Sequence, residues 1–82
     1  MEFLYGAKFE QEPDGGYLVT FPDVPEAITQ GDDYADARAS AIDALSTALR
    51  GRIDDGRAIP EPKAKDAGLV FVSVDPETAL KI

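Results

Sequence analysis

The chain has 82 residues and a formal net charge of −8, and it contains neither cysteine nor histidine. Its length fits one small domain, which buries only roughly 60% of its unfolded surface, so we expect oligomerisation or a protein partner to add stability. The missing residue types exclude disulfides and remove the commonest general base and metal ligand.

The acidic charge bears on the partner class. Phosphate binding needs a basic face, so nucleic acid is a poor ligand for this segment, and a basic protein fits better. Simple solubility is the alternative explanation for the charge. No run of about 18 apolar residues is present, which predicts no membrane span. The first residues, Met-Glu-Phe-Leu-Tyr, lack the basic start of a signal peptide, and we therefore expect a cytoplasmic protein.

An antiparallel hairpin is predicted first. Residues 2–10 alternate, with an apolar face made of Phe3, Tyr5, Ala7 and Phe9. Asp14-Gly15-Gly16 supplies turn chemistry, and residues 17–21 return as a second strand that stops at Pro22. We expect Phe9 and Tyr17, or their neighbours, to be cross-strand pairs.

A third strand and a long helix follow. Residues 27–31 are rich in β-formers. The helix is predicted over residues 33–54, with Asp32 or Asp33 as N-cap, Asp36 in the first turn and Gly56 just after the end. Its broad apolar face comprises Tyr34, Ala37, Ala41, Ile42, Leu45, Ala48, Leu49 and Ile53.

After the connector of residues 60–65, a further strand spans residues 69–74 with almost no polar side chain. Such a run indicates burial on both faces, or one face on the helix and the other on a partner chain. Asp75 and Pro76 then start a helix that has only seven residues. It docks on the body or on another subunit, or it opens the next domain of a longer protein, which is the interpretation we favour. We therefore divide the chain into a domain of residues 1–74 and a C-terminal start of residues 75–82.

Catalytic chemistry is hard to find. Asp32, Asp33 and Asp36 could be imagined as a metal cluster, but a helix start explains each of them. No serine has a base or a nucleophile-elbow context, and no glycine-rich phosphate loop is present. We expect no enzyme, no cofactor and no metal. The aromatic residues could form an RNA-stacking platform, although cover by the alanine-rich helix explains them better; they are Tyr5, Phe9, Tyr17 and Phe21.

Several motifs together resemble a known family. They are Asp14-Gly15-Gly16-Tyr17-Leu18-Val19-Thr20-Phe21-Pro22-Asp23-Val24-Pro25, Thr29-Gln30-Gly31-Asp32, the alanine-rich helix and Asp55-Gly56-Arg57-Ala58-Ile59-Pro60-Glu61-Pro62. This pattern resembles the HicB-like antitoxins of bacterial type II toxin–antitoxin pairs over nearly the whole chain. Glu26 departs from it, because a glycine is expected after the Asp-x-Pro turn.

The resemblance implies an α+β fold of the partial ribonuclease-H-like kind, β-β-β-α-β with the start of a second helix and without a nuclease site. It also implies a HicA-type toxin as partner, a small basic ribonuclease whose active site the antitoxin covers. Operon autorepression and DNA binding would belong to a C-terminal domain absent from these residues. We expect the toxin contact among the exposed carboxylates and the hairpin: Asp14, Tyr17, Asp23, Asp32 and Asp33. The alternative is an orphan homo-oligomeric domain of this fold that binds another protein.

Overall fold

A computed structural model describes residues 4–82, so the predicted inward position of Phe3 lies outside the described part. Four strands and two helices follow one another as β1 (Leu4–Gln11), β2 (Tyr17–Thr20), β3 (Ile28–Gly31), α1 (Tyr34–Asp54), β4 (Val70–Ser73) and α2 (Pro76–Lys81). The predicted α+β class, with its element order, is confirmed.

The strands form one antiparallel sheet in the order β3-β2-β1-β4. Phe9 lies opposite Val19, and Tyr17 lies opposite Gln11. Phe9 and Tyr17 are therefore not opposite each other, whereas their neighbours Glu10 and Leu18 are, as the prediction allowed. The loop of residues 12–16 sets this register. Its backbone is closed by the Glu12 N–H to the Gly16 carbonyl at 2.7 Å.

Helix α1 covers the inner face of the sheet. Asp33 is its N-cap, as one of the two predicted candidates. At the other end, Gly56 has φ +71°, and the N–H groups of Gly56 and Arg57 donate to the carbonyls of Ile53 and Arg52. This is a Schellman motif, which satisfies carbonyls that the helix end would leave unpaired.

Gly31 allows the close approach of α1 to β3. A Cβ at this position would lie 2.8 Å from the Ala37 Cβ and nearer still to the Ala37 backbone nitrogen. The helix therefore starts almost in contact with the strand it follows. The core between the layers contains Tyr5, Ala7, Val19, Phe21, Val24, Ala27, Ala37, Ala41, Leu45, Leu49 and Val72.

No helix within residues 4–82 covers the outer face of the sheet. Val72 of β4 is buried, whereas the Phe71 side chain beside it is 45% exposed. Burial of β4 on both faces, one of the two expectations for this strand, is therefore wrong within the described chain. The described helices cover only the inner face. The other expectation, that β4 packs one face on the helix and the other on a partner chain, stays a prediction.

Helix α2 docks on α1 through its N-cap. The Asp75 carboxylate accepts from the Thr78 N–H at 2.7 Å, and the Asp75 N–H donates to the Ser46 hydroxyl at 2.9 Å. Arg50 adds an ion pair at 3.9 Å. Ser46, fully buried, was not anticipated, since an interior serine of an alanine-rich helix gives no sequence signal of such a contact.

Candidate protein-binding surface

One end of the sheet collects four of the five predicted contact residues. The hairpin loop that carries Asp14 leads directly into Tyr17, and Tyr17 lies opposite Gly31 at the end of β3. Asp32 and Asp33 follow Gly31 at once. The antiparallel pairing of β2 and β3 is therefore what brings residues far apart in sequence to the same end.

The carboxylates at this end differ in the hydrogen bonds that they accept. Asp14 Oδ1 accepts from the Gly16 N–H at 3.0 Å, which is an Asx turn. Asp33 Oδ1 accepts from the Asp36 N–H at 2.8 Å and so caps the helix, while Asp36 Oδ2 accepts from the N–H of Asp32, the residue before the N-cap, at 2.9 Å. Within residues 4–82, the Asp32 carboxylate has no such bond and faces solvent.

An aromatic cluster adjoins these carboxylates. The Tyr34 ring packs against Phe9 at a centroid distance of 5.3 Å and meets Tyr17 edge-on at 5.7 Å. Tyr34 keeps 42% of its surface exposed. Tyr34 was predicted only as part of the apolar face of the helix, and its exposure was not predicted. We name Asp14, Tyr17, Asp32, Asp33 and Tyr34 the acidic-aromatic end.

Asp23 lies away from this end, after β2 has run to the other side of the sheet. Its Oδ2 accepts from the N–H groups of Lys63 and Ala64, both at 2.8 Å. The side chain thus ties the β2–β3 loop to the connector that precedes β4. The structure does not bring Asp23 together with the other four residues, and its use by a partner stays a prediction.

The described part of the chain contains neither a candidate metal site nor a candidate membrane-spanning helix. Between Leu4 and Ile82, no group of three or more acidic, histidine or cysteine side chains is arranged to hold a metal ion. In the same range, no helix is long and apolar enough to cross a membrane. The geometry at the acidic-aromatic end is that of a charged surface with an exposed ring.

A family model described as the HicB-like antitoxin of bacterial toxin–antitoxin systems matches residues 4–82. The chain belongs to the HicB-like antitoxin family. Among its relatives, Antitoxin HicB of Escherichia coli is 38% identical over 78 residues, which cover 95% of this chain and 56% of that protein. Antitoxin HicB 2 of Photorhabdus laumondii is 45% identical over 95% of this chain and 54% of its own length.

This HicB-like chain therefore spans about half the length of those curated relatives. A UPF0150 protein of Synechocystis is different in this respect. It is 35% identical over 65 residues, which are 78% of this chain but 90% of the Synechocystis protein. The resemblance inferred from the motifs is confirmed by the family match.

The residue at which this HicB-like chain departs from the expected motif has a contact of its own. Glu26 forms a two-point ion pair with Arg52, whose Nη2 donates to Glu26 Oε1 at 2.8 Å while Nε donates to Oε2. The hydrogen bond from the guanidinium lowers the pKa of Glu26 from 4.5 to about 2. Arg52 and Glu26 are 26 residues apart in the sequence, so no local pattern indicates this pair.

In this HicB-like chain, the segment between α1 and β4, which we call the connector (residues 57–69), accepts or donates hydrogen bonds at several positions. Arg52 also donates to the Ala58 carbonyl at 3.4 Å, and the Tyr5 hydroxyl donates to the Pro60 carbonyl at 2.6 Å. Burial raises the pKa of Tyr5, and the nearby Asp23 charge adds to this rise. The Asp23 and Ile-Pro-Glu-Pro motifs, which carried the resemblance, therefore meet in the fold.

Proposed function

We propose that this domain is the toxin-binding part of an antitoxin and that it neutralises a HicA-type toxin, a small basic ribonuclease, by covering its active site. Membership of the HicB-like family supports the antitoxin role. The acidic-aromatic end carries the proposal further, because it joins an exposed ring to a group of carboxylates on a chain of net charge −8.

Charge and aromatic surface would do different work. An acidic face attracts a cationic RNA-binding surface over several ångströms, which speeds encounter and orients the partners. Affinity depends more on a few desolvated anchors, among which tyrosine and arginine are enriched. An arginine or lysine of the toxin stacked on Tyr34 would combine both effects. In this proposal Asp32 supplies charge, while Asp14 and Asp33 supply charge from side chains already fixed by their own hydrogen bonds.

We further propose that the domain acts by binding alone and leaves DNA to another part of the protein. The chain has twice as many acidic as basic side chains, 16 against 8, which disfavours direct contact with phosphates. Autorepression of the operon would then reside in the portion of such antitoxins that lies outside these residues.

A second candidate is an interaction domain that works without a toxin. The Synechocystis relative supports it, because the matched segment makes up 90% of that protein. A protein with little beyond this domain would have to act through self-association or through another partner. The two candidates differ in whether a small basic ribonuclease is encoded beside the gene.

The deciding experiment is RNA cleavage by that neighbouring basic protein, titrated with this 82-residue chain and, in parallel, with the natural gene product. We expect cleavage to stop near one chain per toxin. If only the natural product stops it, the neutralising contact lies outside these residues or needs an oligomer. If neither stops it at a large excess, the toxin-binding proposal is wrong and the second candidate gains.

A further inference from the structure

Strand β3 forms one edge of the sheet. Strand β2 pairs with one side of it, and within residues 4–82 no strand pairs with the other side. Its sequence is Ile28-Thr29-Gln30-Gly31, without a charged residue or a proline. Natural edge strands usually carry such residues, because unpaired N–H and C=O groups recruit further strands. The open side of β3 is therefore suited to receive a strand from another molecule.

The side chain of Ile28 marks this edge on the outer face of the sheet. It is 59% exposed, although it is apolar. Ile28 lies opposite Thr20, and Thr20 lies opposite Lys8, so the three side chains form one row across the sheet. A strand added to β3 would place its own side chain next in this row, beside Ile28. An apolar side chain there would bury Ile28, and such cross-strand pairs are favourable.

Negative charge is concentrated at one end of β3. Asp32 and Asp33 follow Gly31 directly, and within the described chain neither carboxylate is paired with a basic side chain. Before the other end of the strand, Glu26 is already neutralised by Arg52. The edge therefore combines an apolar position at its start with uncompensated carboxylates at its end. This pattern favours an incoming strand that is apolar beside the start and basic beside the end.

We propose that the basic partner of this chain docks by adding a strand to the open side of β3, with an apolar side chain beside Ile28 and a lysine or arginine beside Asp32. The inference rests on the proposed function, since it takes the HicA-type toxin as that partner and specifies which kind of segment binds. In such strand addition, main-chain hydrogen bonds supply affinity and the alternate side chains supply specificity. Because Asp32 belongs to the acidic-aromatic end, the contact extends that surface along the edge of the sheet.

A second copy of this chain fits the same edge less well. Antiparallel pairing of two β3 strands about their centres would bring Asp33 of each copy towards Glu26 of the other, and parallel pairing would set Asp32 beside Asp32. Like charges placed opposite each other are destabilising. A basic strand meets attraction at the same positions, so charge selects a basic partner over self-pairing at β3.

Amide hydrogen exchange tests the backbone contact on the wild-type chain, measured by NMR alone and with a saturating amount of the proposed HicA-type partner. In an antiparallel sheet, successive residues of a strand direct their N–H groups to opposite sides. Binding should therefore slow exchange at least about tenfold at alternate residues of β3, either Ile28 and Gln30 or Thr29 and Gly31. The β4 strand, at the opposite edge, is the internal reference and should not change. Binding without slower exchange in β3 overturns strand addition and leaves the proposed function intact.

A pair of variants tests the side-chain contact. Ile28→Lys should weaken binding of the same partner at least about tenfold, because it removes the apolar contact and adds a positive charge beside a basic strand. Leu80→Lys is the matched control, since it makes the same change at an apolar position that is 89% exposed on α2, and it should change affinity less than about twofold. Equal weakening by both variants overturns the proposal. If the wild-type chain itself does not bind, the proposed function fails together with this inference.

Discussion

Arg52 in the last turn of α1 donates two hydrogen bonds to Glu26 in the β2–β3 loop, and its third guanidinium nitrogen donates to the Ala58 carbonyl. One guanidinium thus connects a loop, a helix end and the connector. The side chains of Arg52 and Glu26 are 19% and 34% exposed, so this pair is less exposed than the Lys8–Glu10 and Arg57–Asp55 pairs of the same chain.

This ion pair should make stability depend on pH in a defined window. The Arg52 hydrogen bond lowers the pKa of Glu26 from 4.5 to about 2 in the folded chain. A depressed folded pKa means that the stabilisation is present above about pH 4.5 and is lost as the pH falls towards 2. We expect Glu26→Gln to lower the free energy of unfolding by about 1 kcal/mol at pH 7, after allowance for partial exposure.

Denaturant unfolding of both proteins at pH 7, 4 and 3 measures this difference. It should shrink as the pH falls below about 4.5, because the Glu26 carboxylate becomes protonated in the unfolded chain while it stays charged in the folded chain down to about pH 2. Glu61→Gln is the control, since Glu61 is exposed and makes no such contact in residues 4–82. A difference for Glu26→Gln that is the same at pH 3 and pH 7 would contradict the assignment.

Much of the fold was predictable because its signals are local. Alternation in β1, the caps at Asp33 and Gly56, and the start of α2 at Pro76 each depend on neighbouring residues. The Phe9 register and the Glu26–Arg52 pair were not predictable, since they depend on loop geometry and on contacts across 10 and 26 residues.

Alanine substitutions at two glycines, Gly31 and Gly51, test how closely α1 approaches the sheet. Gly31→Ala would place a Cβ against the Ala37 backbone. Relieving this clash requires a shift of the backbone of β3 or of α1. We expect a loss of about 3 kcal/mol in the free energy of unfolding. Gly51→Ala, inside α1 with no atom within 4 Å of the added Cβ, should instead stabilise by about 0.5 to 1 kcal/mol. Thermal unfolding compares them, and equal effects of the two changes would refute the close contact.

Substitutions of Asp23 test how much its hydrogen bonds to the connector stabilise the fold. Both backbone donors, the N–H groups of Lys63 and Ala64, use the same oxygen, Oδ2. Asp23→Asn can present its amide oxygen to both and should cost less than about 1 kcal/mol, whereas Asp23→Ala should cost about 2 kcal/mol. Faster hydrogen exchange at Lys63 and Ala64 in the alanine variant alone would identify the cause. Equal stability of all three proteins would show that the two bonds contribute nothing.

The candidate site was predictable in part for the same physical reason. Asp14, Asp32 and Asp33 stand out as turn and cap residues, and the β2–β3 pairing then brings them to Tyr17. Tyr34 and Phe71 were missed as surface features because their sequence environments are those of core residues. Phe71 is exposed because no described helix covers the outer face of the sheet, and Tyr34 is exposed because it stands in the first turn of α1 at the end of the sheet.

Tyr5 should resist ionisation as long as the chain is folded. It is fully buried, and its pKa is raised above 10 by that burial. Because the folded pKa exceeds the unfolded one, the stabilisation is complete below pH 10 and falls as the pH rises through the folded value. Absorbance at alkaline pH should show Tyr5 ionising together with unfolding. Tyr5→Phe should remove that step and cost about 1 kcal/mol, and ionisation of Tyr5 in the folded chain without a raised pKa would contradict the prediction.

Asp32 allows a test of steering towards a basic toxin without a change in the fold. Its carboxylate is exposed and accepts no hydrogen bond within residues 4–82, so Asp32→Asn should leave unfolding unchanged. At low salt we expect it to slow association with the proposed HicA-type partner about two- to threefold, with little change in dissociation, and the effect should fade at high salt. Asp43→Asn makes the same charge change on an exposed position of α1, away from the acidic-aromatic end. If stopped-flow binding shows equal slowing by both variants, net charge alone governs the encounter, and the acidic-aromatic end is not the surface that meets the toxin.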